Sequence, residues 1–232
     1  MQALTVYRIN FLRINLVFAD DTLLVLDKPS GLLSVPGKGD DKQDCLSTRV
    51  QAEYADALIV HRLDMATSGL IVMARGLDAQ RRLSGAFANR EVTKRYGAVV
   101  SAVVSPPQGE WGVIDLPIAL DWPRRPLRHI DAATGKPSVT HWRIDPHLPP
   151  ANCIDFDRSE AFTRLVLKPE TGRSHQLRVH LCAIGHPILG DTLYAPIGVQ
   201  QRSGRLLLHA SSLILAHPTT GQVMQFDSPS PF

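Results

Sequence analysis

Four residues near the first quarter of the chain carry the sharpest chemical potential: Arg62, Asp64, Thr67 and Ser68, within His61-Arg62-Leu63-Asp64-Met65-Ala66-Thr67-Ser68-Gly69-Leu70. In an extended segment, residues two apart point to one side, so Arg62 and Asp64 share a face. Thr67, Ser68 and Gly69 are turn formers. The apolar run Leu70-Ile71-Val72-Met73-Ala74 that follows reads as a buried strand. The pattern places a carboxylate on a tight connection at the mouth of a sheet, with a cation beside it. Loops carried on a rigid scaffold are where catalytic groups concentrate. A carboxylate there can attack as a nucleophile or stabilise positive charge on a sugar. The plainer reading is a capping Asp with a surface Arg, an ion pair worth little.

These residues need elements to hold them. Leu16–Phe18 and Leu23–Leu26 flank Asp20-Asp21-Thr22 and predict an antiparallel hairpin. Residues 46–57 predict a short helix capped by Ser47 or Asp44. Leu77, Ala79, Leu83, Ala86 and Phe87 fit a helix burying one stripe. Strands are expected over 96–104, 139–144, 162–167, 206–208, 213–216 and 223–226, the last two joined by the turn Pro218-Thr219-Thr220-Gly221. Residues 109–126, rich in Pro, Gly and Trp, read as irregular. Ser174 is placed to cap a helix carrying Leu177, Leu181 and Ile184, closed by Gly185. About eight strands and three or four helices, with hairpins predominating, point to an α+β fold.

The chain has 232 residues, 44% of them hydrophobic, enough for one sizeable core. No linker, repeat, membrane-length apolar run or dinucleotide or phosphate-loop motif is present. Residues 1–16 read as an N-terminal extension, either an added element or a poorly ordered arm. Residues 17–232 read as a single catalytic domain. Cys45, Cys153 and Cys182 are far apart, which fits free thiols in a reducing, cytoplasmic compartment and argues against a zinc site. Residues 146–159 read as a lengthened loop. The net charge is only +3, yet residues 62–95 hold seven bases against three acids, and residues 121–143 five against two, so a modest net charge can hide a basic face; the plainer reading, which composition alone favours, is two solvated surfaces with ordinary charge mixing.

The motif around Asp64 resembles the catalytic signature of the RluA family of pseudouridine synthases. Other blocks fit in order: Lys28-Pro29-Ser30-Gly31-Leu32-Leu33-Ser34-Val35-Pro36-Gly37, Lys94-Arg95-Tyr96, Thr171-Gly172-Arg173-Ser174-His175-Gln176-Leu177-Arg178-Val179-His180, Gly185-His186-Pro187-Ile188-Leu189-Gly190-Asp191 and Leu207-Leu208-His209-Ala210. The resemblance implies a pseudouridine synthase catalytic fold: a long, bent, mixed and mostly antiparallel sheet, flanking helices and loops, and a central active-site cleft. It implies isomerisation of uridine in structured RNA by base flipping. Asp64 would be the catalytic carboxylate and Tyr96 the ring stacking on the extruded uracil. Arg178 would pair with Asp64, with Arg173 the rival for that role or a phosphate ligand. Arg62 would fill the gap left by the flipped base. Lys94, Arg173, His175, Arg124 and Arg125 join Arg62 as RNA-binding candidates. His61, His175 and His180 read as hydrogen-bonding scaffold rather than metal ligands, and Lys28 as structural or phosphate-binding.

Within the family, Asp121-Trp122-Pro123 with Arg125-Pro126, Thr134-Gly135-Lys136-Pro137, and too short a leading segment for an S4-type RNA-binding domain resemble the dual-specificity branch. That branch acts on a 23S (large-subunit) rRNA stem-loop and on tRNA anticodon stem-loops. No metal or cofactor is expected, because the isomerisation is redox-neutral and no metal or phosphate motif is present; no membrane and no required protein partner is expected either. Two rivals remain at this point. One is a catalytically silent RNA-binding or RNA-folding protein of the same shape. The other is an aspartyl phosphatase, which would want a second acid beside Asp64.

Overall fold

The computed structural model describes residues 7–9, 14–147, 157 and 159–232. In chain order the described elements are β1 (Tyr7–Ile9), β2 (Ile14–Ala19), β3 (Leu23–Lys28), α1 (Leu46–Gln51), β4 (Ala57–Ile59), β5 (Ser68–Arg75), α2 (Leu77–Ala88), β6 (Thr93–Ser101), β7 (Gly112–Asp115) and β8 (Ile118–Leu120), followed by β9 (Arg128–Ile130), β10 (Val139–Ile144), β11 (Phe162–Pro169), α3 (Gln176–Ala183), α4 (Ile197–Gln200), β12 (Leu208–Ala216) and β13 (Val223–Asp227). Antiparallel sheet dominates and helices are few, so the fold is α+β. The chain forms two compact units, Met1–Lys94 with Ala210–Pro229, and Arg95–His209 with Ser230–Phe232.

The first unit is built on β5. Leu70 to Ala74 are all fully buried, the expected consequence of an unbroken apolar run. β5 pairs antiparallel with β3 (Leu24 opposite Met73, Leu26 opposite Ile71) and with β4 (Leu58 opposite Ala74). β3 pairs with β2, and β2 with β1, so Tyr7–Ile9 adds a strand and β2 begins at Ile14, inside the expected extension. One face of β3 and β5, made of Leu23, Val25, Leu70, Val72 and Ala74, packs with Ala79 and Leu83 of α2 and with Leu213, Leu215 and Phe226 from the β12–β13 hairpin. Leu77 departs from the expected stripe: at the first position of α2 it is 62% exposed.

α1 is shorter than expected, and its cap is Cys45, whose Sγ accepts from the Thr48 N–H, rather than Ser47 or Asp44. Asp44 instead pairs with Arg49.

In the second unit β6, β11, β10 and β7 pair antiparallel in that order. β7 and β8 lie in the stretch expected to be irregular. β7 becomes a strand by pairing with β10 (Val139 opposite Asp115, His141 opposite Val113), and β8 by pairing with β9. Neither pairing is visible in local composition. The strands expected over 206–208 and 213–216 are one strand, β12. The lengthened loop at 146–159 and Cys153 fall almost wholly outside the described residues.

Candidate active site

Asp64 sits where no regular structure occurs, and side chains hold its backbone. Leu63 is buried while Arg62 is exposed and Asp64 half-buried, the alternation of an extended segment. The Thr67 N–H donates to the Asp64 carbonyl at 3.1 Å and closes the turn. The preceding loop then locks it. Lys28, fully buried, donates from Nζ to the carbonyls of Pro29 (2.9 Å), Leu32 (2.8 Å) and Met65 (3.1 Å). Ser30 Oγ donates to the Ala66 carbonyl at 2.7 Å and the Gly31 N–H to the Met65 carbonyl at 2.8 Å. Ser34 Oγ accepts the Leu63 N–H at 3.1 Å and donates to the Leu63 carbonyl at 2.8 Å. An ammonium has three donors, and here three carbonyls receive them. Lys28 is therefore a structural staple, which resolves the choice left by the sequence.

Two further residues complete this frame. His61 Nε2 accepts the Val72 N–H at 2.9 Å, and its ring stacks on Phe87 with centroids 4.2 Å apart. Burial, with the nearby Lys94 charge, pushes its pKa down to about 3, so the imidazole stays neutral and its lone pair remains an acceptor. Burial also holds Lys94 below the ordinary lysine range. Gly69 has φ +107°, and a Cβ there would collide with the backbone of Ala210. The glycine of the motif is thus required twice, by conformation and by close approach.

In the second unit Tyr96 is half-buried on β6, opposite Leu167 of β11. Arg178 is buried on α3 and donates to Asp191 through two donors, Nε at 2.8 Å and Nη2 at 2.6 Å. The same carboxylate accepts the N–H groups of Leu193 (3.0 Å) and Tyr194 (3.2 Å). The Arg178 guanidinium lies 5.1 Å from the Tyr194 ring centroid. The Tyr194 hydroxyl accepts the Arg128 N–H at 3.0 Å and shares a 2.6 Å hydrogen bond with His175 Nδ1.

His175, not Ser174, is the N-cap of α3, and it has φ 60°, a left-handed conformation uncommon outside glycine. Behind it, Gln176 uses both ends. Its Oε1 accepts from Thr171 Oγ1 and the Arg173 N–H, and its Nε2 donates to the Val139 carbonyl and Thr140 Oγ1. His180 Nε2 donates to the Leu116 carbonyl at 2.9 Å, so Nδ1 accepts from Thr140 Oγ1 at 3.0 Å. Burial lowers the pKa of His180, with the Leu116 carbonyl opposing, so it is scaffold, as expected. Arg173 is exposed, with Nε 3.4 Å from the Pro137 carbonyl. Arg124 and Arg125 are exposed on the β8–β9 connection.

Among the described residues no group of three or more His, Cys, Asp and Glu side chains is placed to hold a metal ion, and no helix is long and apolar enough to cross a membrane.

Residues 22–183 match the family model described as RNA pseudouridylate synthase. The chain is 45% identical over 217 residues to the dual-specificity RNA pseudouridine synthase RluA of Escherichia coli (strain K12), covering 94% of this chain and 93% of that one. It is 43% identical over 216 residues to the protein of the same name in Yersinia pestis, covering 93% and 98%.

The chain belongs to the RluA family of RNA pseudouridine synthases.

The fold agrees. The human RNA pseudouridylate synthase domain containing 1 protein superposes with a TM-score of 0.74 at 28% identity, covering 94% of this chain and 83% of that one. The reaction class of this pseudouridine synthase is therefore an isomerisation: the bond from sugar to base nitrogen breaks and a bond from sugar to base carbon forms.

Sequence reasoning missed Asp191 as a partner of Arg178, although it lies in a motif already singled out. The available signal was that a buried arginine requires a carboxylate. It missed Tyr194 altogether, because a tyrosine joining an arginine, a histidine and a strand N–H has no local signature.

Proposed function

We propose that this pseudouridine synthase flips a uridine out of an RNA stem-loop and isomerises it with Asp64 as the catalytic carboxylate. Its substrates are a 23S rRNA stem-loop and tRNA anticodon stem-loops, in the cytoplasm. The observation that carries the reading is the frame around Asp64. Its own carbonyl and those of the neighbouring Leu63, Met65 and Ala66 are each met by a donor from a turn or a buried side chain. That degree of fixation suits a group that must stay within a fraction of an ångström of a reacting sugar. Tyr96 stacks on the extruded uracil, since a tyrosine ring accepts any pyrimidine face. Arg178 is the arginine that the family resemblance assigns to that carboxylate, since a guanidinium can bind a carboxylate through two donors. Arg62, exposed and two residues from Asp64, occupies the space the base vacates. Lys94, Arg173, His175, Arg124 and Arg125 contact the RNA. The dual-specificity relatives support two substrates for one site.

Pseudouridine mapping of rRNA and tRNA from cells with and without the protein tests this reading. Loss of one site in each RNA class is expected. Loss in a single class would narrow the substrate range, and no loss in either would overturn the proposal.

A further inference from the structure

The β8–β9 connection, residues 121–127, is built unlike an ordinary surface loop. The Asp121 N–H donates to the Leu127 carbonyl and the Leu127 N–H to the Arg124 carbonyl, each at 3.0 Å. The Asp121 carboxylate accepts the Arg124 N–H at 3.2 Å and Arg124 Nε at 2.7 Å, and its side chain is only 9% exposed. Pro123 and Pro126 fix two φ angles, which lowers the entropy of the free loop. The base is anchored as firmly. Ile118 and Lys136 exchange backbone hydrogen bonds at 3.0 and 2.9 Å, and the Arg128 N–H reaches the Tyr194 hydroxyl.

This rigid tip displays an aromatic ring that folding does not use. Trp122 is 64% exposed, and among the described residues it is the one aromatic in the set of exposed large hydrophobic side chains. The Arg125 guanidinium lies 4.1 Å from its ring centroid, and Arg125 Nε donates to the Trp122 carbonyl at 3.3 Å. One ring face is thus covered by a cation while most of the residue remains in water. Arg124, though paired, keeps a side chain 74% exposed. A flat π surface backed by a guanidinium, with a second guanidinium beside it, is complementary to an unstacked nucleotide: the base lies on the ring and the phosphate meets the cations.

We infer that Trp122, with Arg125 behind it, is a stacking platform for one unpaired loop nucleotide of the RNA substrate, a base other than the uridine that reacts. The inference rests on the proposed function and extends it by giving the 121–127 tip a role in substrate recognition. A preformed platform lowers the ordering cost of binding and favours RNA loops that can present an unstacked base at that point.

The test is binding of a fluorescein-labelled tRNA anticodon stem-loop, read by anisotropy, with abasic nucleotides placed in turn at each loop position. Trp122→Ala is expected to weaken binding roughly ten- to a hundredfold, as removal of a base-stacking aromatic does. Trp122→Phe should retain most of the affinity. One abasic position should weaken the wild-type complex by a similar factor and have no further effect on Trp122→Ala. Melting temperatures of both variants should match the wild type, since the side chain lies outside the core. Wild-type affinity in Trp122→Ala overturns the inference, and so does a loss that adds to the loss at every abasic position. The broader reading fails separately: a wild-type protein that converts no uridine in rRNA or tRNA sinks the function. A wild type that converts uridine while Trp122→Ala binds undiminished sinks only the platform.

Discussion

The Asp64 loop and the Arg178 cluster fix charged groups by opposite means. Around Asp64 the backbone is held: Lys28, Ser30 and Ser34 bind carbonyls on either side of the aspartate, while the carboxylate is carried half-exposed. Around Arg178 the side chain is held: the Asp191 carboxylate accepts from two guanidinium donors, and Tyr194 packs against it. A frame of backbone contacts leaves the carried side chain available for chemistry. A frame of side-chain contacts buries the group it fixes. A substitution in the first frame should therefore displace a reactive group, and one in the second should unsettle a core.

The comparison is broken most readily at Asp191. Asp191→Asn preserves shape and the turn N–H contacts but withdraws the charge facing two Arg178 donors. A loss of about 3 kcal/mol in urea unfolding is expected, because a buried ion pair is costly to break from one side. Lys28→Met should come next, at about 2–3 kcal/mol, since the methionine fills the space but leaves buried carbonyls without that donor. Its mark should be a fall in turnover larger than the fall in RNA affinity, because the Asp64 loop loosens. Equal falls in both would argue that Lys28 supports the fold alone.

His61 sharpens the first frame through pH. Its folded pKa, about 3, lies below the ordinary 6.5, so below about 6.5 the unfolded chain takes up a proton that the folded chain refuses. Stability should decline as pH falls from about 6.5 toward 3, by up to about 1.4 kcal/mol per pH unit. His180, also lowered, adds in the same direction. His61→Gln keeps an acceptor for the Val72 N–H but cannot titrate, so urea midpoints measured between pH 4 and 7 should show a shallower slope. Tyr194→Phe should have the smallest effect, about 1 kcal/mol. It removes a hydroxyl from His175 and the Arg128 N–H and keeps the ring beside Arg178.

Legibility in the sequence follows a different line. Around Asp64 the turn residues, the buried run Leu70–Ala74 and the antiparallel β2–β3 hairpin follow from neighbours in the chain, but the staples from Lys28, Ser30 and Ser34 cross 29 to 37 residues and do not. The Arg178 frame spans less, with Asp191 13 residues on, yet it too is made by tertiary contact. Asp191 and Tyr194 gain their roles through packing, and His175 caps α3 in a left-handed conformation that Ser174 would have been expected to spare it. β7 and β8 exist because β10 and β9 pair with them, so their Pro- and Gly-rich surroundings misdirect a reading of composition. Leu77 shows the limit of periodicity: a helix can begin before its apolar stripe reaches the core. Trp122 falls in the stretch read as irregular, and only the structure shows it standing exposed at a tip.

The central claim is that the Asp64 frame presents a carboxylate for catalysis. Asp64→Asn removes the charge and keeps the shape. Single-turnover tritium release from uracil-labelled RNA should fall more than ~10³-fold, the loss expected for an essential nucleophile or acid–base group, while RNA affinity and melting temperature stay near wild type. Turnover within tenfold of wild type on bound RNA would contradict the assignment of Asp64 and the account built on it.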